Sequence, residues 1–245
     1  MDDRCGDRVL DSPLVQVSVP HRGIPVWSPD GRRVAFSSTR DGPTNIYVKE
    51  VEGETAEQAV YQSPGQFKEV MSWSPDGRYL FFDQTETATG WDLWMLAMQG
   101  TRRPILYRRT RSFDGSGCLS PDGKWICFVS DETGTGQIYV QSFPAADETH
   151  RISLSESVLG RWSSTGREIV LFSSDGTTWS VPMTTSPVFR SDVPRRLFKW
   201  PTETVAYAWT PDFSRFLQSV PVRDVAPPTI TVEMNWPAEA AHPRR

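Results

Sequence analysis

Trp27-Ser28-Pro29-Asp30-Gly31 recurs as Trp73-Ser74-Pro75-Asp76-Gly77 and again as Leu119-Ser120-Pro121-Asp122-Gly123. The string loosens to Trp162-Ser163-Ser164-Thr165-Gly166 and then to Trp209-Thr210-Pro211-Asp212-Phe213. From one serine or threonine to the next the steps are 46, 46, 43 and 47 residues. That spacing suits a four-stranded propeller blade and exceeds most two-element solenoid repeats. Within each string Pro presets φ for a turn, Asp can accept from the backbone ahead, and Gly takes a positive φ.

Working outward from the turn, each unit reads as four short strands. A second strand begins six residues after the serine or threonine: Val34-Ala35-Phe36, Leu80-Phe81-Phe82, Ile126-Cys127-Phe128, Ile169-Val170-Leu171 and Phe216-Leu217-Gln218. The third is rich in β-branched and aromatic residues, as in Ile46-Tyr47-Val48, Leu93-Trp94-Met95, Ile138-Tyr139-Val140, Trp179-Ser180-Val181 and Ile230-Thr231-Val232. The fourth is more polar, as an outer edge strand should be: Ala59-Val60-Tyr61, Ile105-Leu106-Tyr107, Ile152-Ser153-Leu154 and Leu197-Phe198. No stretch shows a sustained 3.6-residue apolar period. The pattern predicts an all-β chain, a β-propeller of five four-stranded antiparallel blades whose sheets bury their faces against one another. Trp27, Trp73, Trp162 and Trp209 are expected between blades.

The expected layout is a leader over 1–12, a propeller over 13–236 and a polar tail over 237–245. The blades fall near 25–66, 70–112, 116–156, 160–200 and 206–236, the last completed by 13–18. Leu14-Val15-Gln16-Val17 stands where a fourth strand precedes each unit, and the last unit lacks one. Two arrangements follow: a closed five-bladed ring, or an open arc of a six- or seven-bladed propeller.

The WSPDG turn, the Val-Ala-Phe-like strand and the Ile-Tyr-Val strand together resemble the TolB-like β-propeller repeat, strongly in the first three units. The order of segments is similar to the C-terminal propeller of bacterial receptor-like serine/threonine protein kinases. Those segments are Pro25 to Gly31, Gly90-Trp91-Asp92-Leu93-Trp94, Gln137 to Pro144 and Thr229 to Trp236. The resemblance implies a non-catalytic module for sensing, scaffolding or binding within a larger signalling protein. It would be extracytoplasmic if the parent is membrane-anchored; the residues themselves assign no compartment.

Composition narrows function by exclusion. The chain of 245 residues carries a net charge of -4, so no global field gathers nucleic acid or anionic lipid. No apolar run approaches the length that spans a bilayer, and the charged start MDDRCGDRVL lacks the apolar core of an export signal. There is no GxSxG, HRD or DFG string and no phosphate-binding glycine loop. The three histidines, His21, His150 and His242, lie far apart in sequence, and no Cys/His spacing suggests zinc. We therefore expect no catalytic residue, cofactor or metal. Asp114-Gly115-Ser116-Gly117 reads as a loop; Cys118 and Cys127 face each other on a hairpin and read as buried thiols, with a cross-strand disulfide as the alternative.

A ligand face can still be placed. In a propeller the loops from second to third strand share one rim, with the loops leading into the next blade. That rim should carry Arg40, Asp41, Glu86, Trp91, Asp92, Asp131, Glu132 and Asp175, with Arg223 and Asp224. An acidic ring with one exposed aromatic suits a basic peptide, a sugar or a cation, so the expected partner is a protein or small ligand. The competing reading is that these Asp residues only shape turns. The alternative function is a carboxylate-dependent hydrolase or lyase at the axis, or the accessory propeller of a peptidase. Arg102, Arg103, Arg108, Arg109 and Arg111 flank a fourth strand; edge protection is the expected role, with nucleic-acid or phosphate binding as the competing reading, and the net charge favours the former.

Overall fold

The structure is a computed structural model, and it describes residues 25–52, 55–64, 67–201 and 206–219. The first sheet runs β1 (Val26–Trp27), β2 (Arg33–Ser38), β3 (Asn45–Glu50) and β4 (Gln58–Tyr61), each pairing antiparallel with the next. The second runs β5 (Lys68–Trp73), β6 (Tyr79–Glu86), β7 (Gly90–Ala97) and β8 (Pro104–Arg108). The third is β9 (Asp114–Leu119), β10 (Trp125–Ser130), β11 (Gln137–Ser142) and β12 (Thr149–Arg151). The fourth joins β13 (Ser157–Trp162), β14 (Glu168–Ser173) and β15 (Thr177–Thr184). Here β17 (Arg195–Lys199) is the outer strand, and the short β16 (Arg190–Ser191) pairs the far end of β15. Of the fifth, β18 (Ala206–Trp209) and β19 (Phe216–Ser219) are described. All nineteen described elements are β-strands, and none of the described segments is a helix long and apolar enough to cross a membrane. Leu14 to Val17 and Ile230 to Val232, on which ring closure depends, lie outside the described residues.

The repeated string builds one turn each time. Ser28 Oγ donates to Asp30 Oδ1 at 2.5 Å and accepts the Arg33 N–H at 2.9 Å, while Asp30 Oδ1 also accepts the Arg32 N–H at 3.1 Å. Ser74, Asp76, Arg78 and Tyr79 repeat these contacts, as do Ser120, Asp122, Lys124 and Trp125. The looser copies keep the geometry with other atoms. Thr165 Oγ1 replaces the carboxylate opposite Ser163 at 3.1 Å, and Thr210 replaces the serine opposite Asp212 at 2.6 Å. Gly31, Gly77, Gly123 and Gly166 sit at φ between +68° and +71°, a region that costs glycine nothing. Phe213 adopts φ +55° without that freedom; its ring is buried in the contact with the fourth sheet.

Sheets stack in chain order, and the alternation of each strand supplies both contacts. Leu80 and Phe82 face back toward Ala35, Ile46 and Val48 of the first sheet. Phe81 between them faces forward to Leu119, Ile126 and Phe128 of the third. Cys127, Ile138 and Val140 then meet Trp162, Ile169 and Leu171 of the fourth, whose Val170 and Phe172 meet Phe213 and Trp209. Trp73 and Trp162 are 7% and 9% exposed, and Trp209 lies 4.9 Å from the Phe172 ring, so these three pack between sheets as expected. Trp27 departs from them at 55% exposure: among the described residues no sheet covers it as the preceding sheet covers Trp73.

Two further expectations need correction. Asp114 to Gly117 is not a loop but the start of β9, and every residue of that strand is buried. Its glycines are dictated by close approach: a Cβ on Gly115 would lie 2.5 Å from Asp83 Oδ2, and one on Gly117 2.8 Å from Leu93. The fourth strand of the third unit is Thr149–Arg151 rather than Ile152 to Leu154. Beyond it the Ser153 hydroxyl takes the Ile138 N–H at 2.9 Å, so a side chain extends the ladder. Cys118 and Cys127 are register partners and both are free buried thiols.

Candidate functional site

The rim opposite the repeated turns is made by the hairpins from second to third strand. Each places charged residues because its tight turn demands short polar side chains. At the first, the Arg40 guanidinium lies 5.2 and 4.6 Å from the Phe36 and Tyr47 ring centroids and pairs with Glu57. Asp41 accepts the Tyr47 hydroxyl at 2.6 Å. At the fourth, Asp175 accepts the Thr177 N–H at 2.8 Å and the Thr177 hydroxyl at 2.9 Å. Those two bonds, with Lys199 3.4 Å away, hold its carboxyl below the usual carboxylate range. These residues close their own hairpins.

The second and third hairpins are tied together. Asp92 on β7 is fully buried and accepts Arg109 Nε at 2.6 Å and the Thr89 hydroxyl at 3.0 Å. Arg109 Nη2 also lies 3.7 Å from Glu86. Arg108, leaving the outer strand of the second sheet, donates Nε to the buried Asp114 at 2.8 Å and Nη2 to Glu132 at 2.6 Å, both on the third sheet. Its guanidinium lies 5.0 Å from the Phe128 ring centroid. Asp131 Oδ1 accepts the Phe113 N–H at 2.7 Å. Trp91 meets Phe67 edge-on at 5.3 Å and Phe113 at 6.5 Å. It is half-buried rather than the exposed platform expected, because aromatic rings from both sides close on it.

Arg108 and Arg109 are therefore ion-pair partners within and across sheets, a role that reading the arginine cluster as edge protection missed. The signal was the pairing of each arginine with an Asp at the start of a strand. Asp92 Oδ1 and Asp114 Oδ2 have no hydrogen-bond partner among the described residues. Each is buried beside an arginine, so charge pairing offsets part of the desolvation cost. Arg223 and Asp224 lie outside the described residues.

Beneath the rim lie titratable groups that the sequence did not mark. Lys68 is fully buried, donating to Thr44 O at 2.8 Å and Ser63 O at 3.1 Å; burial lowers its pKa, with Glu86 opposing. Asp83 on β6 is pushed up to about 8 by burial, against the Ser116 N–H that it accepts at 2.9 Å, with Glu69 adding to the rise. Arg161 on β13 donates Nη1 to Ser116 O at 3.0 Å and Nη2 to Met71 O at 3.4 Å, lacing three inner strands. Asp83 is 3% exposed and its backbone donor sits on the adjacent sheet. Its altered proton affinity thus arises at the inter-sheet joint. Among the described residues no group of three or more His, Cys, Asp or Glu is placed to hold a metal ion.

Comparison with known proteins places this geometry. No curated protein matches the chain. Among solved structures, TolB from Acinetobacter baumannii is similar at 21% identity and TM-score 0.56, over 71% of this chain and 43% of that one. A putative TolB from Agrobacterium tumefaciens is similar at 20% identity and TM-score 0.56, over 71% of this chain and 64% of that one. Prolyl oligopeptidase B from Galerina marginata, at 12% identity and TM-score 0.54, is covered over 30% of its length by 82% of this chain. The chain thus spans less than two thirds of each. The likenesses at these identities concern the fold. The model of the TolB beta propeller domain matches residues 24–194, the stretch that holds four of the five repeated turns, and the chain belongs to that family.

Proposed function

We propose that this chain is a non-catalytic binding module that engages a protein partner through the hairpin rim of its second and third blades. One observation carries the reading: Arg108 spans from the second sheet to Asp114 and Glu132 of the third. Two adjacent hairpins are thereby held as one preorganised polar surface. Preorganisation lowers the ordering cost of association, which is where rigid polar surfaces gain affinity. Each rim carboxylate is engaged through at least one oxygen, by Tyr47, Arg109, Phe113, Arg108 or Thr177, an arrangement suited to recognition more than to proton transfer. The resemblance to kinase-linked propellers supports a place within a larger bacterial signalling protein.

The test is a double variant, Trp91→Leu and Asp131→Asn, which keeps the hydrogen-bonding oxygen at 131 and most of the apolar volume at 91. Recovery of a cross-linked partner should fall at least tenfold while the melting temperature holds. Equal recovery would remove the rim from consideration. The peptidase-accessory alternative predicts instead that a separate hydrolase chain or domain co-purifies with the propeller and loses activity with the same variant.

A further inference from the structure

At the opposite rim, the boundary between the second and third sheets departs from the repeat. In the other four units the residue before the turn is tryptophan, and the rings of Trp73 and Trp162 fill the space between blades. In the third unit that residue is Leu119. Backbone bonds fix which residues are equivalent. Met98 N–H to Arg78 O, Phe143 N–H to Lys124 O and Met183 N–H to Arg167 O are the same contact in successive sheets. Trp73 thus has Met98 beside it and Trp162 has Met183, whereas Leu119 has Phe143. The larger Phe143 does not make good the missing indole. A cavity of about 430 Å³ opens there, bounded by Tyr79, Met95, Leu119 and Phe143.

The walls say what fits. Tyr79 and Phe143 meet edge-on at 6.3 Å, offering an aromatic corner, and Pro75, Pro121 and Pro144 form rigid apolar lips. Asp76 and Asp122 stand at the mouth, one from each blade's turn. Each commits Oδ1 to its own turn. Asp76 Oδ2 lies 3.8 Å from Arg78 Nη1, outside hydrogen-bond range. Two carboxylates against the single guanidinium of Arg78 leave the lip net negative. Aromatic and proline walls with acidic lips suit an extended chain that presents an apolar ring and a basic side chain.

We propose that this groove docks an extended peptide segment of a partner protein, which seats one aromatic side chain in the vacated tryptophan position and sets a basic side chain against Asp76 and Asp122. The groove lies on the rim away from the hairpins, so this inference is independent of the function proposed above.

A randomised dodecapeptide display library is selected on the intact chain, with Leu119→Trp as counter-selection. That variant restores the repeat residue and fills the groove. Enriched peptides should carry an aromatic and a basic residue. Their affinity should fall at least tenfold for Leu119→Trp and several-fold for Asp76→Asn with Asp122→Asn. The asparagine pair keeps the turn acceptors at exposed positions, so the fold survives even if the tryptophan does not. The proposal is overturned if nothing is enriched, if enriched peptides bind the asparagine pair as well as the parent, or if free tryptophanamide binds as tightly as the peptide.

Discussion

Replacing Trp73 and Trp27 separately by alanine compares two copies of one repeat position, one covered by a preceding blade and one covered by none of the described sheets. Trp73 is 7% exposed, its guanidinium neighbour Arg33 lies 4.9 Å from the ring, and its indole N–H donates to Gly77 O at 3.2 Å. Trp27 is 55% exposed. With about 200 Å² per tryptophan side chain and ~25 cal/mol per Å², truncation removes about 4 kcal/mol of burial at Trp73 and about 2 kcal/mol at Trp27. The indole hydrogen bond adds about 1 kcal/mol to the first figure. Urea unfolding followed by far-UV circular dichroism, with the slope held common, reads the gap as a difference in midpoint. Trp73→Ala should be less stable than Trp27→Ala by about 2–3 kcal/mol. Losses equal within about 0.5 kcal/mol, the usual scatter of such comparisons, would refute the reasoning, because Trp27 would then be covered in solution as Trp73 is.

Further outcomes follow from single contacts. Asp83 holds its proton in the fold up to about pH 8, while the unfolded chain loses it near the ordinary value of 3.8. Its contribution to stability is therefore present at low pH and is lost as pH rises through that window. Asp83→Asn should gain in melting temperature on the parent between pH 5 and pH 8.5; a constant offset would sink the assignment. Gly115→Ala should destabilise by about 2 kcal/mol or more in the same urea assay, because its Cβ meets Asp83 and the ring of Phe113. An unchanged midpoint would mean that the inner strands are not so close. Arg108→Ala leaves Asp114 buried and unpaired and should cost about 3–5 kcal/mol, against less than about 0.5 kcal/mol for the exposed Arg103→Ala. Similar losses from the two would deny Arg108 its bridging role.

Much of the fold was written in local sequence because its determinants are local. A serine, an aspartate two residues on and a glycine three residues on make the turn from their own hydrogen bonds, and alternating residues such as Leu80, Phe81 and Phe82 announce a strand with two buried faces. The rim positions were placed by the same logic, since hairpin connectivity alone puts Asp41, Asp92, Asp131 and Asp175 at one end of their sheets.

What sequence could not decide depended on neighbours distant along the chain. Asp114 to Gly117 carries the composition of a loop, yet it is an inner strand. The small residues are there because Asp83 and Leu93 of the preceding sheet press against them. Arg108 and Arg109 sit side by side in sequence but turn to different sheets, and only packing assigns one to Asp114 and the other to Asp92. Whether Trp91 stands out as a platform was likewise settled by Phe67 and Phe113. The exchange of tryptophan for Leu119 was legible as a lapse in the repeat. That the lapse leaves an open groove, instead of being filled by Phe143, was decided by tertiary structure, because side-chain volumes from two sheets must be summed in space to see what remains empty.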